Sequence, residues 1–311
     1  MGESTDRHGV ADRCGDERLP SKLAMSIAPF SGENRMRNLM VVLAGLFLAL
    51  SVGVGCSARQ RISMETAAAK ALVSDEQEQQ LGLQVKAELE QKQHVKYLTD
   101  PVVNSYVQSV IDRILPFAKN DRPNQKWELH VIDDIKTVNA FATPGGYIYV
   151  YSGLLAEAGN EAELAGVLAH ESGHVVARHI ARQMVDTYGL EAVLSLALGK
   201  NPSLLQQLAG GIAAKGTMLA NSRADETEAD EYGARYSSRA GYDPHGLVTF
   251  FEKLLAKQGS ESKVLSWLSD HPATSDRIAH MQAFIAENHL TGSDLGAERL
   301  APIKQRLASH P

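Results

Sequence analysis

His170, Glu171 and His174 lie in residues 163–180, ELAGVLAHESGHVVARHI, inside an apolar pattern rich in Ala, Val and Leu. On a helix, positions four apart sit one turn above each other, so the two imidazoles can turn a nitrogen towards one metal ion. Glu171 projects from an adjacent part of the surface, where its carboxylate reaches a water on that metal without ligating it. Two unrelated histidines beside a surface glutamate are the plain alternative. The helical context argues against it, because Gly166, Ala169, Ser172 and Gly173 leave room for another element or a substrate to approach closely.

A catalytic zinc site takes three protein ligands and keeps one position open. The third is expected from Asn221–Gly233, NSRADETEADEYG, which reads as the start of another helix. Glu226 and Asp230 are four apart and share a face, while Glu228 points elsewhere. Glu226 is therefore the candidate ligand, and Asp230 the carboxylate that accepts the free N–H of a ligand histidine and fixes its tautomer. Taken alone the cluster would be a solvated acidic face; beside His170 and His174 the metal reading prevails.

The elements that must carry these residues can be read in outline. Ser74 caps a helix running to about Lys92, with Asp75, Glu76 and Glu78 at its positive end. Asp100-Pro101 opens a second, with Val102, Val103, Tyr106, Val107, Val110, Ile111 and Ile114 on one stripe and Pro116 near its end. Trp127, Leu129 and Val131 alternate with polar residues, and 138–142 and 147–151 follow around Thr143-Pro144-Gly145-Gly146, which predicts a small antiparallel unit. Its edge could add an extended peptide by backbone hydrogen bonds; otherwise it is a structural hairpin. Asn160 caps the histidine helix. The apolar runs 189–198 and 204–219 read as core helices or as a mobile lid, with base rates favouring the core.

The chain has 311 residues and a formal charge of −6, which leaves no basic footprint for nucleic acid. Its only cysteines, Cys14 and Cys56, exclude a Cys-based zinc site. Residues 1–35 have no periodicity and form an unassigned extension, absent from the product if translation begins at Met36. Arg35 and Arg37 precede the uncharged run LMVVLAGLFLALSVGV, which ends in Gly55-Cys56. This is the anatomy of a signal peptide over 36–55, with an uncleaved anchor as the runner-up. Cys56 after small residues resembles a bacterial lipoprotein signal, although Gly53 replaces the usual Leu. A lipidated Cys56 would attach the chain to a membrane through a tether at 56–73, and Ser57 is compatible with outer-membrane sorting. Residues 74–311 form the remaining domain.

Four segments, NAFATPGGYIYVYSGLL, LAGVLAHESGHVVARH, SRADETEADEYG and SDHPATSDRI, occur in an order that resembles the zinc metallopeptidase family of the CAAX prenyl endopeptidase and HtpX. The layout is closest to BepA/LoiP-like lipoprotein proteases without tetratricopeptide repeats. The resemblance implies an α+β, mainly α-helical, gluzincin-type metalloprotease domain with the small antiparallel sheet packed on the zinc-site helix. It implies one Zn2+ per chain on His170, His174 and Glu226, Glu171 as catalytic base and Asp230 as the orienting carboxylate. His271 corresponds to a family histidine that can take the open coordination position and hold the enzyme latent, and Arg277 to an arginine that could stabilise the oxyanion. The expected function is a periplasm-facing endopeptidase of the bacterial envelope acting on misfolded or misassembled proteins. The alternatives are a peptide-binding assembly factor with little proteolysis, and a purely structural zinc closed by His271.

Overall fold

A computed structural model describes residues 73–91, 95–197, 200–204, 206–207, 221–257, 271–272 and 275–309. The extension at 1–35, the signal segment at 36–55, nearly all of the tether and most of the apolar run 204–219 lie outside the described residues. Among the described residues, no helix is long and apolar enough to cross a membrane.

Helix α1 (Asp75–Gln91) starts in a reciprocal cap: the Gln77 N–H donates to the Ser74 hydroxyl, and the Ser74 N–H to the Gln77 side chain. It buries Leu81, Val85 and Leu89. Helix α2 (Pro101–Asp121) starts at Asp100, whose carboxylate accepts the N–H groups of Val102 and Val103. Its buried stripe runs from Val103 through Val107, Val110, Ile111 and Ile114, but Val102 is 48% exposed. The helix also continues through Pro116 rather than ending there. Proline removes one backbone bond, and burial of Leu115 and Ala118 favours continuing the turn. The Arg122 N–H then closes it on the Ala118 carbonyl.

Strands β1 (Glu128–Ile132), β2 (Ala140–Thr143) and β3 (Tyr147–Tyr151) form one sheet in the order β1-β3-β2. The expected wholly antiparallel unit is corrected here: β2 and β3 are antiparallel, but β1 and β3 are parallel, with Val131 opposite Val150. Alternation in sequence reports which face a residue occupies, not which strand lies beside it. The chain passes from β1 to the far side of the sheet, forms β2, and returns through a 3-10 turn at Pro144–Gly146, so that β3 inserts between them. Gly145 and Gly146 both have φ of 81°, open to glycine without strain. The strand side chains divide between two layers. Val131, Ala140, Ala142, Ile148 and Val150 join the main core with α2, while Ile132, Phe141, Tyr147 and Tyr149 pack with α1.

Two short elements complete the frame before the histidine helix: α3 (Ser152–Glu157) and the Asn160 cap, whose side chain accepts the Glu163 N–H. Helix α4 (Glu161–Val176) is buried along its whole length, so it needs neighbours on every side. The sheet and α2 supply some of them. The others come from α5 (His179–Ala197, interrupted at Gly189), α6 (Arg223–Arg239) and α7 (Gly246–Lys257), followed by α8 (Ser275–Glu287) and α9 (Ala297–Ala308). Helix α9 is tied to the start of α4, where Arg299 forms bonds of 2.7–2.9 Å to the buried Glu161 carboxylate. The architecture is α+β and mainly helical, as the sequence implies.

Candidate metal centre and active site

Close approach of α4 and α6 makes the centre. A Cβ on Gly173 would lie 2.8 Å from the Tyr232 Cβ and 3.1 Å from the Ala229 carbonyl oxygen, and one on Gly166 would lie 2.7 Å from the Leu247 nitrogen. The small residues of the histidine helix thus admit neighbouring helices, α6 at Gly173 and α7 at Gly166. A reciprocal Ser222–Asp225 cap, with both bonds at 3.1 Å, sets the start of α6 and with it the height of Glu226.

The structure brings His170, His174, Glu226 and His271 together, with one ligand atom from each within 4.8 Å of all the others. The Nε2 atoms of His170 and His174 are 3.0 Å apart. Glu226 lies 3.5 Å from the first and 3.4 Å from the second. His271 Nδ1 lies 3.1 Å from Glu226 Oε1 and 3.3 Å from His170 Nε2. A tetrahedral zinc with ligands at about 2.0–2.1 Å has ligand–ligand edges of about 3.3–3.4 Å, so the cluster has the size of that coordination shell. The donor set fits as well: three imidazoles and one carboxylate, all buried.

Electrostatics point the same way. Burial pushes the Glu226 carboxyl up, but the facing His271, His170 and His174 outweigh it and hold it well below the usual carboxylate range. Burial likewise acts to lower His170, yet Asp230 and Glu226 raise it to about 9. His174 is lowered, first by burial. An ionised carboxylate buried among imidazoles stabilises a cation, either a proton on His170 or a metal ion in its place.

Asp230 is fully buried, and its Oδ1 lies 3.0 Å from His170 Nδ1. Arg277 grips that carboxylate with two bonds, Nε to Oδ2 at 2.8 Å and Nη2 to Oδ1 at 2.7 Å. Its Nη1 reaches Glu226 at 2.8 Å and the Pro272 carbonyl at 2.9 Å. The structure therefore places Arg277 behind the ligand shell, holding two acidic side chains.

Glu171 is 1% exposed, and burial raises its carboxyl above the ordinary range. The facing His271 and His170 and the Ala142 backbone N–H on β2 oppose that rise. Glu171 Oε1 lies 3.5 Å from His271 Nε2 and makes no hydrogen bond among the described residues. Beside it runs a cleft open to solvent, lined by Phe141, Thr143, Val175, Ile180 and His271. At the end of the cleft Glu78 pairs with Arg122 at 2.6 Å and with Arg178 at 2.7 Å. Sequence reasoning missed this ion cluster, because its members are about 45 and 100 residues apart. It also missed His179, fully buried against His174. The signal for His179 was there, a third histidine five residues after His174, but that spacing leaves the shared face of a continuous helix.

The sequence profile of peptidase family M48 matches residues 101–285. The mitochondrial metalloendopeptidase OMA1 of Schizosaccharomyces pombe is 38% identical over 182 residues, covering 58% of this chain and 53% of that protein. A putative beta-barrel assembly-enhancing protease of Vibrio cholerae is 35% identical over 192 residues, and the beta-barrel assembly-enhancing protease of Escherichia coli K12 32% over 191, each covering 58% of this chain and 39% of the relative. The chain thus spans about half or less of the length of these curated relatives. It belongs to peptidase family M48, a family of zinc metallopeptidases.

Proposed function

We propose that the chain is a zinc-dependent endopeptidase of the bacterial envelope that cleaves misfolded or misassembled envelope proteins. The observation carrying this reading is the buried cluster of His170, His174, Glu226 and His271 beside Glu171 Oε1, a raised carboxyl with an unused oxygen. His170, His174 and Glu226 would hold the metal. A zinc ion held there would supply Lewis acidity, lowering the pKa of a water to about 7 and polarising the scissile carbonyl. Glu171 takes the proton of the attacking water and returns it to the leaving amide nitrogen, so no covalent intermediate is needed. Asp230 holds the His170 ring, and Arg277 locks Asp230.

The substrate lies along β2. That strand pairs with β3 on one side, with Asn139, Phe141 and Thr143 facing β3; on its other side the Ala140 N–H donates to the Asn139 side chain and the Ala142 N–H is turned towards Glu171, so an added segment would donate to the Ala140 and Ala142 carbonyls. An extended segment adding there runs past Glu171, and this selects unfolded chain over folded protein. A signal at 36–55, lipidation of Cys56 and a tether at 56–73 would place the domain facing the periplasm on the outer membrane. The bacterial relatives at 32–35% identity support the envelope setting. The test is an outer-membrane β-barrel protein offered urea-unfolded or prefolded in detergent. The unfolded form is cleaved and the folded form survives; cleavage of both at equal rates, or of neither, contradicts the proposal.

One observation favours a second reading, a latent assembly factor. His271 Nδ1 joins His170, His174 and Glu226 in one ligand cluster, where it would fill the position a water needs. Growth of a deletion strain restored by Glu171→Gln would favour that role over turnover.

A further inference from the structure

The acidic segment of α6 carries five carboxylates, Asp225, Glu226, Glu228, Asp230 and Glu231, of which the helix cap uses Asp225 and the centre uses two. Glu226 faces the centre and Asp230 faces His170. Glu228 lies on the other side of α6, yet the turn after α4 brings a partner to it. Helix α4 ends at Val176, and Arg178 takes a left-handed conformation with φ of 58°, which a non-glycine residue rarely adopts. Its guanidinium is held there by Glu78 and by the Val73 carbonyl. This reversal folds His179 back onto His174, with ring centres 4.7 Å apart and planes at 77°.

We infer that His179 and Glu228 form a hydrogen-bond relay that fixes the ring of His174, so that α6 orients both ligand histidines, one directly through Asp230 and the other through His179. The inference rests on the metal reading given above. His174 Nδ1 is 2.5 Å from His179 Nδ1, and His179 Nε2 is 3.3 Å from Glu228 Oε2. His174 Nε2 faces the ligand cluster and needs its lone pair there, so the ring proton sits on Nδ1. It donates to His179 Nδ1, which must then be the acceptor, leaving the proton of His179 on Nε2 to donate to Glu228. The opposite tautomer of His179 would set two N–H groups against each other and turn a lone pair towards a carboxylate. Each ring thus has one donor and one acceptor, satisfied in a single direction.

Arg182 anchors the far end. Its Nη2 donates to Glu228 Oε2 at 3.1 Å and to Asp225, the residue in the α6 cap. Asp225 also lies 3.9 Å from His179 Nε2. His179 is fully buried, whereas the Glu228 side chain is 33% exposed. The two ligand histidines therefore differ in kind: His170 is backed by a carboxylate, and His174 by a neutral imidazole that passes its polarisation on to a carboxylate.

The experiment is zinc affinity of the full chain by chelator competition, together with the visible absorption bands of the Co2+-loaded protein, for wild type, His179→Phe, His179→Asn and Glu228→Ala. Phe keeps the ring volume without nitrogen; Asn puts an amide oxygen close to the position of the lost Nδ1. His179→Phe is expected to weaken zinc binding about 10–100-fold and to shift the cobalt bands. His179→Asn is expected to recover most of both, which a residue that only fills space would not do. Glu228→Ala, whose truncation leaves no buried cavity, is expected to weaken zinc several-fold, and it keeps the test decisive if His179→Phe does not fold. Wild-type affinity in Glu228→Ala or in folded His179→Phe overturns the relay while leaving the metal reading intact. Failure of the wild-type protein itself to bind zinc overturns both.

Discussion

Replacing Gly173 by alanine adds one methyl group where the two metal-bearing helices touch. Its Cβ would lie 2.8 Å from the Tyr232 Cβ and 3.1 Å from the Ala229 oxygen, whereas carbon contacts settle at about 3.5–4.0 Å. Both neighbours belong to α6, and one is backbone, so a rotamer change cannot relieve the contact. The helix has to retreat by about 0.7 Å to reach the near end of that range, carrying Glu226 with it, whereas metal–ligand distances tolerate only about ±0.2 Å. Two effects oppose each other in stability: overpacking costs about 1–3 kcal/mol, and replacing a helical glycine returns about 1 kcal/mol. The net change in the metal-free protein is thus about 0–2 kcal/mol and does not discriminate. Zinc affinity does, because helix propensity does not enter it. A loss of about tenfold or more, equivalent to about 1.4 kcal/mol, is expected by chelator competition on folded Gly173→Ala. Wild-type affinity in that variant would refute the claim that the α4–α6 contact sets the centre.

His271→Ala frees the fourth position, so casein cleavage is expected to rise while zinc is retained less tightly; loss of cleavage would make His271 a catalytic residue instead of a latch. Arg277→Lys keeps a charge but not the two-pronged grip on Asp230, and zinc affinity is expected to fall about 10–100-fold by the same titration. Asp100→Ala removes the α2 cap and the partner of Arg306. It is expected to cost about 0.5–2 kcal/mol in urea unfolding with zinc binding unchanged; altered zinc binding would mean that the α2 start communicates with the centre.

The parts of the site legible in the sequence are those that follow helix periodicity. His170 and His174 share a face because they are four apart, and Glu226 and Asp230 repeat the pattern on the partner helix. The glycines of α4 announced close approach, though not which helix would use it. The parallel pairing of β1 with β3 was hidden, because strand neighbours depend on the path of the chain. His179 was hidden by a local conformation: a left-handed Arg178 reverses a helix that the apolar pattern would continue. Arg277 was identified through resemblance as an oxyanion partner, yet it lies buried against Asp230 and Glu226. Its neighbours come from a helix some 47 residues away in sequence, a distance at which local pattern carries no information.

The most direct test of the account compares the purified zinc-loaded chain with Glu171→Gln, measuring zinc content and casein cleavage side by side. One zinc per chain is expected in both proteins, with cleavage reduced about 10²–10⁴-fold in the variant because the carboxylate that moves the proton is gone while the ligand shell is untouched. Undiminished cleavage by zinc-loaded Glu171→Gln would contradict the account.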